Sequence, residues 1–137
     1  MKGGYTMKLA YPACFYYEDE GYSVEFPDLK GCITQGDTLE DALEMAEDAA
    51  LGWLLDELED GAEVPSATKI EKVKLEREGF VSLILLDLGT YSEKYCKNKY
   101  VKKTLTVPFW LNELSEKKEI NFSKVLQDGL LEKARNK

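Results

Sequence analysis

The C-terminal segment from residue 101 constrains the fold most, because it carries regular elements that cannot bury a core alone. Residues 101–107 alternate between two sets of side chains, as a strand does. Pro108 ends this strand and suits the first position of a helix, and Asn121 suits the N-cap of a second helix. A strand with two short helices falls below the ~40 residues at which a domain is usually stable without a staple or a partner. The segment has no cysteine pair or metal ligands, so we predict that a second copy of the chain completes its core.

Antiparallel pairing of the two strands would form a two-stranded ribbon covered on one face by four helices. Lys102, Thr104 and Thr106 would lie on its uncovered face. Such ribbons fit the major groove of B-DNA, and helix N-termini bind phosphate. The segment therefore resembles a ribbon-helix-helix DNA-binding domain, with dimerisation without DNA as the alternative. The predicted DNA contacts are Lys102, Thr104 and Thr106, and the start of the second helix at Asn121, Phe122 and Ser123.

Lys103 departs from the ribbon pattern, because it shares the parity of Leu105, where an apolar side chain is expected. Either its ammonium group reaches water at the ribbon edge, or the strand begins later. The sequence therefore leaves the pairing register of the ribbon open.

The net charge of −8 is unevenly distributed. Residues 100–137 hold eight basic and five acidic side chains, so the other 99 residues carry −11. Such asymmetry predicts two partners of opposite charge. No basic residue lies between Lys30 and Lys69, and this stretch is either a solvated helix face or a docking surface for a basic protein. Its acidic residues are Asp37, Glu40, Asp41, Glu44, Glu47, Asp48, Asp56, Glu57, Glu59, Asp60 and Glu63.

Composition argues against several classes of chemistry. Cys14, Cys32 and Cys96 are widely spaced with no C-x-x-C pair, and the chain has no histidine. We therefore expect reduced thiols, no zinc site and no cofactor, and an enzyme of this sequence would lack the commonest general base. No apolar run is long enough for a membrane span or a signal-peptide core, which predicts a cytoplasmic protein.

The N-terminal body begins with three predicted strands joined as an antiparallel meander. Pro12 favours an edge position or a bulge for the first strand. Val24 and Ile33 are expected on one apolar face, together with apolar residues of the first strand. The predicted strands are Lys8–Tyr17, Tyr22–Phe26 and Cys32–Gly36.

A long helix and a fourth strand complete the body. Thr38 and Asp41 form a capping-box variant that opens the helix, which should stop near Gly61. Residues 66–79 predict a loop or a weak strand, and residues 79–88, nearly all apolar, predict a strand buried in the sheet. The fold class is therefore α+β, with a β-β-β-α-β body in residues 1–97 and the ribbon-helix-helix in residues 98–137.

Two stretches of the body carry a more specific resemblance. Residues 22–29 (YSVEFPDL) and 31–42 (GCITQGDTLEDA), preceded by Tyr11-Pro12-Ala13, resemble the signature of the HicB antitoxin family. The resemblance implies a body with part of an RNase H-like fold, joined to a ribbon-helix-helix tail. It also implies a type II toxin–antitoxin role. The body would neutralise HicA, a small basic mRNA-cleaving toxin, and the tail dimer would bind operator DNA and repress the operon.

The family pattern does not specify the toxin contacts, so the candidates come from charge and position. Two other functions stay open: a stand-alone ribbon-helix-helix regulator and a Mg²⁺-dependent nuclease using Glu25, Asp28, Asp37 and Asp41. Capping already explains Asp37 and Asp41, which favours a protein that is not an enzyme. Tyr22 and Glu25 are also consistent with ordinary positions on the sheet surface. The toxin-contact candidates are Tyr22, Glu25, Asp28, Glu44 and Glu47.

Overall fold

The computed structural model describes residues 7–95 and 100–135. The chain forms two compact units: the first is Lys8–Leu88, and the second combines Met1–Met7 with Gly89–Lys137. The predicted domain boundary, between residues 97 and 98, lies outside the described residues. Within the part of the chain that is described, no helix has both the length and the apolar character needed to cross a membrane.

The first unit is built on a four-stranded antiparallel sheet in the order β3-β2-β1-β4. The long helix α1 follows the meander, and β4 then returns to pair with β1 along its whole length. This arrangement confirms the predicted order of elements and the α+β class. The elements are β1 (Lys8–Tyr17), β2 (Tyr22–Glu25), β3 (Ile33–Gly36), α1 (Leu39–Glu59) and β4 (Gly79–Asp87).

Helix α1 has the ends that the sequence predicts. The hydroxyl of Thr38 accepts a hydrogen bond from the backbone N–H of Asp41 at 3.0 Å, which caps the first turn. At the other end, Gly61 adopts φ 85° and its N–H donates to the carbonyl of Leu58. The N–H of Ala62 donates to the carbonyl of Glu57, so the helix ends in a Schellman motif.

The core lies between α1 and one face of the sheet, here called the inner face. Gly36 shows how close the two layers come, because a Cβ added to it would lie 2.3 Å from the backbone nitrogen of Ala42. Phe15 stacks on Phe80 with ring centroids 5.0 Å apart. The strands contribute Tyr11, Ala13, Phe15, Val24, Ile84 and Leu86 to this core, and α1 contributes Ala42, Ala46, Ala50, Leu51 and Leu54.

The edge position expected from Pro12 is wrong, because β1 is an inner strand with β2 on one side and β4 on the other. The ladder explains how proline is tolerated there. β2 pairs with β1 only from Cys14 onward, so at Pro12 the sole paired neighbour is Leu83 of β4. Proline has no backbone N–H to donate, and Pro12 lies where β1 has no second partner strand that would accept one.

The expectation that Ile33 joins Val24 on the buried face is also wrong. Val24 pairs with Thr34, so Ile33 lies on the opposite face, here called the outer face, with 66% of its surface exposed. Cys32 is buried instead, just before the strand begins. Its N–H donates to the carbonyl of Leu29 and its carbonyl accepts from the N–H of Phe26, which pulls the turn inward.

The position predicted for β4 is wrong as well. β4 lies at an edge of the sheet rather than inside it. Ile84 and Leu86 are buried on the inner face, whereas Leu83 and Leu85 are exposed on the outer face. The strand therefore alternates between covered and exposed positions although its sequence is apolar at both.

The connection from α1 to β4 is held by side-chain hydrogen bonds and contains one 3-10 turn (Ile70–Lys72). The carboxylate of Asp28 accepts from the N–H and the hydroxyl of Thr68, at 2.8 and 2.6 Å. The hydroxyl of Tyr11 donates to the carbonyl of Pro65. No strand forms in residues 66–78, so of the two predicted alternatives the loop is confirmed.

Three helices follow β4 in the described residues: α2 (Leu88–Tyr95), whose first residue is the last of the first unit, α3 (Phe109–Lys117) and α4 (Phe122–Arg135). Pro108 immediately precedes α3 and its carbonyl accepts from Asn112 N–H at 3.0 Å, so helix α3 begins one residue later than predicted. Residues 101–107 have neither helical nor ladder pairing within the single chain. Their predicted strand partner is the second copy.

Candidate partner-binding surfaces

The outward side of α1 and the segments flanking it form an acidic surface. Its carboxylates project from residues 37 to 63, and all but the half-buried Glu57 are exposed. Two of the predicted toxin contacts, Glu44 and Glu47, belong to it. The acidic surface is defined by Asp37, Glu40, Asp41, Glu44, Glu47, Asp48, Asp56, Glu57, Glu59, Asp60 and Glu63.

The acidic surface dominates the charge of the first unit. Residues 8–88 hold six basic and twenty acidic side chains, which gives a net charge of −14. Residues 89–137 hold eleven basic and six acidic side chains, which gives +5. A field of this kind attracts cationic macromolecules and raises their association rate. The first unit is thus suited to a basic partner.

Tyr22 and Glu25, two other predicted toxin contacts, lie on opposite faces of the sheet. Tyr22 pairs with Gly36 on the inner face, and its ring lies edge-on to Phe80 with centroids 6.2 Å apart. Glu25 is half-buried on the outer face, opposite Ile33. The position of Tyr22 in an aromatic cluster accounts for its presence by packing alone.

Asp28 is engaged within its own chain. Both of its carboxylate oxygens accept hydrogen bonds from Thr68, and its side chain is half-buried. It therefore fastens the connection that follows α1. The structure does not bring the five predicted toxin contacts into one cluster. Of these five residues, only Glu44 and Glu47 belong to the acidic surface.

The carboxylates considered for a nuclease site do not assemble either. Among residues 7–95 and 100–135 there is no group of three or more cysteine, aspartate or glutamate side chains that could hold a metal ion. The backbone of Asp41 serves the cap of α1, and Asp28 is bound to Thr68. The geometry gives no support to a two-metal or single-metal reaction centre in these residues.

The described thiols are held in their protonated form. Burial raises the pKa of the Cys32 thiol to about 11. Burial also raises the pKa of Cys14, with Glu25 and Glu76 adding in the same direction. A nucleophilic cysteine requires a lowered pKa and access to solvent. Cys14 and Cys32 are therefore core residues and not reactive groups.

The predicted DNA contacts are all accessible in the second unit. Lys102, Thr104 and Thr106 are exposed. The side chain of Asn121 accepts a hydrogen bond from the N–H of Lys124 at 3.1 Å, which confirms it as the N-cap of α4. Phe122 and Ser123 follow it at the helix N-terminus, where backbone N–H groups lack intrahelical acceptors.

The second unit leaves its apolar side chains uncovered. None of residues 100–134 is buried, although these residues include thirteen large apolar side chains with more than a third of their surface exposed. A soluble chain rarely exposes so much apolar surface unless another molecule covers it. The exposed residues are Tyr100, Val101, Leu105, Val107, Phe109, Trp110, Leu111, Leu114, Ile120, Phe122, Val125, Leu126 and Leu130.

The sequence does not predict one surface feature, the exposed pair Leu83 and Leu85 on the outer face of β4. Their exposed fractions are 55% and 65%. The signal was present as an apolar run with no alternation. Such a run predicts a strand buried in the sheet, because strands covered on both faces are usually apolar without alternation.

An anionic body is joined to a basic unit in which none of residues 100–134 is buried, and this arrangement is suited to contacts with charged macromolecules. The chain belongs to the HicB-like antitoxin family: residues 11–125 match the family model described as the HicB-like antitoxin of a bacterial toxin–antitoxin system. The match spans both units and agrees with the resemblance found in the sequence.

Two curated relatives align over most of the chain. Antitoxin HicB 2 of Photorhabdus laumondii is 30% identical over 100 residues, which is 73% of this chain and 72% of the relative. An uncharacterised 14.9 kDa protein of Haemophilus phage HP1 is 31% identical over 103 residues, which is 73% of this chain and 74% of the relative.

Solved structures share the architecture. A chain of a toxin–antitoxin complex from Streptococcus pneumoniae is 30% identical, with a TM-score of 0.59 over 93% of this chain and 99% of that one. The antitoxin HicB of Burkholderia pseudomallei is 23% identical, with a TM-score of 0.55 over 90% of this chain and 97% of that one, and so shares the fold.

Proposed function

We propose that this protein is an antitoxin that neutralises a HicA-type mRNA-cleaving toxin with its first unit and represses its own operon in the cytoplasm with its second. The observation that carries the proposal is the separation of charge, −14 in residues 8–88 and +5 in residues 89–137. A protein built to bind RNA presents a cationic surface, and the first unit offers it an anionic one. The phosphates of operator DNA attract positive charge, which the second unit carries.

The toxin-binding role rests on the acidic surface and on kinship. The similar chain from Streptococcus pneumoniae was solved in a toxin–antitoxin complex. In the present chain, Glu44 and Glu47 are exposed, and no basic residue lies between Lys30 and Lys69 to cancel their field. The partner is therefore a basic protein, and the toxin-binding domain is assigned to residues 1–97, with the partial RNase H-like fold of the family.

The proposed homodimer rests on the uncovered apolar residues of the second unit. Leu114, Val125 and Leu126 keep 43%, 57% and 38% of their surface exposed in the single chain. Pairing of residues 101–107 with the same residues of a second copy would supply both the missing strand and the missing core. We assign residues 98–137 to a ribbon-helix-helix formed by two chains.

Operator recognition follows from that dimer. Its ribbon would carry Lys102, Thr104 and Thr106 from each chain on one exposed face, facing the base edges of a major groove. The N-terminus of α4, starting after Asn121, would hold a backbone phosphate.

Isothermal titration of the full chain against the product of the neighbouring reading frame tests the toxin-binding role. A small basic protein that contains histidine should bind, and its RNA cleavage should stop on binding. If the neighbouring gene encodes no such protein, or if its product gives no heat of binding, the chain is a stand-alone regulator instead.

A double substitution, Thr104→Ala with Thr106→Ala, tests operator recognition. Loss of base-edge contacts from both chains should weaken binding to the operon's operator by about 10- to 100-fold in a gel-shift titration. Toxin neutralisation should be unchanged, since both positions lie in the second unit. Ser66→Ala, which removes an exposed hydroxyl from the first unit, is the matched control. Unchanged operator affinity in the double variant would rule out readout by the ribbon.

A further inference from the structure

The outer face of β4 shows a mismatch between its sequence and its surroundings. Residues 83–86 are apolar without a break, and such a run is typical of a strand that is buried on both faces. In the first unit α1 covers only the inner face, where Ile84 and Leu86 are buried. Leu83 and Leu85 remain 55% and 65% exposed, and Leu85 pairs with the exposed Ala10 of β1. We call Ala10, Leu83 and Leu85 the β4 patch.

The β4 patch lies at the narrow end of the sheet. β2 pairs with β1 no further than Cys14, so the ladder at Leu83 and Leu85 consists of β1 and β4 alone. β4 is an edge strand, and no strand of the described residues pairs with its outer side. Lys8 and Asp87 are paired at the end of the ladder. Their opposite charges cancel, so this end of the β4 patch has no net charge beside it.

The charge of the first unit decides which molecule fits this patch. Two bodies of −14 repel each other, whereas a cationic protein is drawn towards either of them. Stable interfaces have an apolar centre depleted of charge, with charged groups around it that govern the approach. The acidic surface lies beyond α1, on the opposite side of the sheet from the patch, so it attracts the partner at long range, and the β4 patch supplies the apolar centre of the contact.

We propose that the β4 patch is a docking site for the cationic protein partner, anchored by Leu83 and Leu85. The inference rests on the proposed function, in which that partner is the toxin. It adds an apolar anchor on the outer face to the acidic surface. An unpaired strand edge next to the anchor also offers backbone hydrogen bonds to an extended segment of the partner.

The test is Leu83→Gln with Leu85→Gln in the full chain, which removes the apolar surface without changing the charge. Isothermal titration against the neighbouring gene's product should show binding at least about tenfold weaker. The matched control is Ile33→Gln, since Ile33 is 66% exposed on the outer face but belongs to β3 at the opposite edge. Its affinity should stay within about twofold of the parent chain.

Each outcome has a distinct meaning. A thermal melt should show all three chains equally folded, because the replaced side chains are mostly exposed. Equal affinity of the double variant and the parent would overturn the patch as anchor and leave the proposed function standing. Absence of binding by the parent would overturn the proposed function, and the inference with it. If the double variant halved the mass in sedimentation and still bound the partner normally, the occupant would be a second copy and the inference would be wrong.

Discussion

Among the residues that the structure describes, Glu119 is the one non-glycine residue with a positive φ. It adopts φ 54° between α3 and α4, in the left-handed region. The N–H groups of Glu119 and Ile120 donate to the carbonyls of Glu116 and Ser115, which is the same Schellman motif that ends α1 at Gly61. The same helix ending therefore occurs twice. The left-handed position is occupied by glycine at Gly61 and by glutamate at Glu119.

Glu119→Gly should stabilise the second unit by about 0.5–1 kcal/mol, because glycine adopts the left-handed region without a Cβ penalty. Urea unfolding followed by circular dichroism measures the change. Gly61→Ala is the reciprocal control and should destabilise the first unit, since Gly61 has φ 85°. A loss of stability in Glu119→Gly would mean that the Glu119 side chain makes a contact worth more than the backbone strain.

Asp28→Ala separates a packing role from a toxin contact. The substitution leaves the N–H and hydroxyl of Thr68 without their acceptor, so the free energy of unfolding should fall by about 1–3 kcal/mol. Affinity for the neighbouring gene's product should change little below the melting temperature. Thr68→Val removes one of the two bonds from the other side and should destabilise less. A large loss of affinity confined to Asp28→Ala would restore Asp28 as a contact residue.

The buried thiols give a prediction that depends on pH. The Cys32 pKa, about 11 in the folded chain, lies above the ordinary value of 9.0, so its thiolate forms more readily in the unfolded chain. Stability should therefore decline as the pH rises above about 9. In a Cys96→Ser background, native protein at neutral pH should react slowly with a thiol reagent and unfolded protein quickly. Fast reaction in the native state would contradict the burial of Cys14 and Cys32.

At the scale of elements, the close approach of β3 and α1 makes Gly36 a sensitive position. A Cβ at this residue would lie 2.3 Å from backbone nitrogen of Ala42, so Gly36→Ala must push α1 off the sheet. We expect a loss of about 2–3 kcal/mol in urea unfolding. Gln35→Ala, at the exposed neighbouring position, should cost less than about 0.5 kcal/mol. Equal losses would show that strand propensity and not packing controls the site.

Local signals predicted the elements well, because caps and turns depend on neighbouring residues. Thr38 and Gly61 mark the ends of α1 in the sequence and in the structure. Register and strand position were predicted poorly, since both depend on residues distant in the chain. The pairing of Val24 with Thr34 placed Ile33 outward, and the return of β4 beside β1 made β1 central despite Pro12. The resemblance to a family supplied the proposed function, whereas the predicted toxin contacts came from charge and position and do not lie together in the fold.

At the scale of the whole molecule, segregated charge makes association with the partner dependent on salt. The association rate with the neighbouring gene's product should fall about tenfold or more between low and high ionic strength, while the dissociation rate changes less. Glu44→Gln with Glu47→Gln should lower the rate at low salt and flatten this dependence. Stopped-flow mixing measures both. A rate independent of salt in the parent chain would remove the role assigned to the acidic surface.

The pairing of Lys8 with Asp87 has a consequence for how the protein is made. β1, an inner strand of the sheet, is synthesised before its longest partner strand, β4, which leaves the ribosome about 70 residues later. Contacts of such separation form slowly, because the intervening loop must be closed before they stabilise anything. A nascent or cleaved chain that ends before Gly79 has no completed body, however much of the family signature it contains. The proposed capacity to restrain a toxin would therefore be acquired only after β4 has been synthesised.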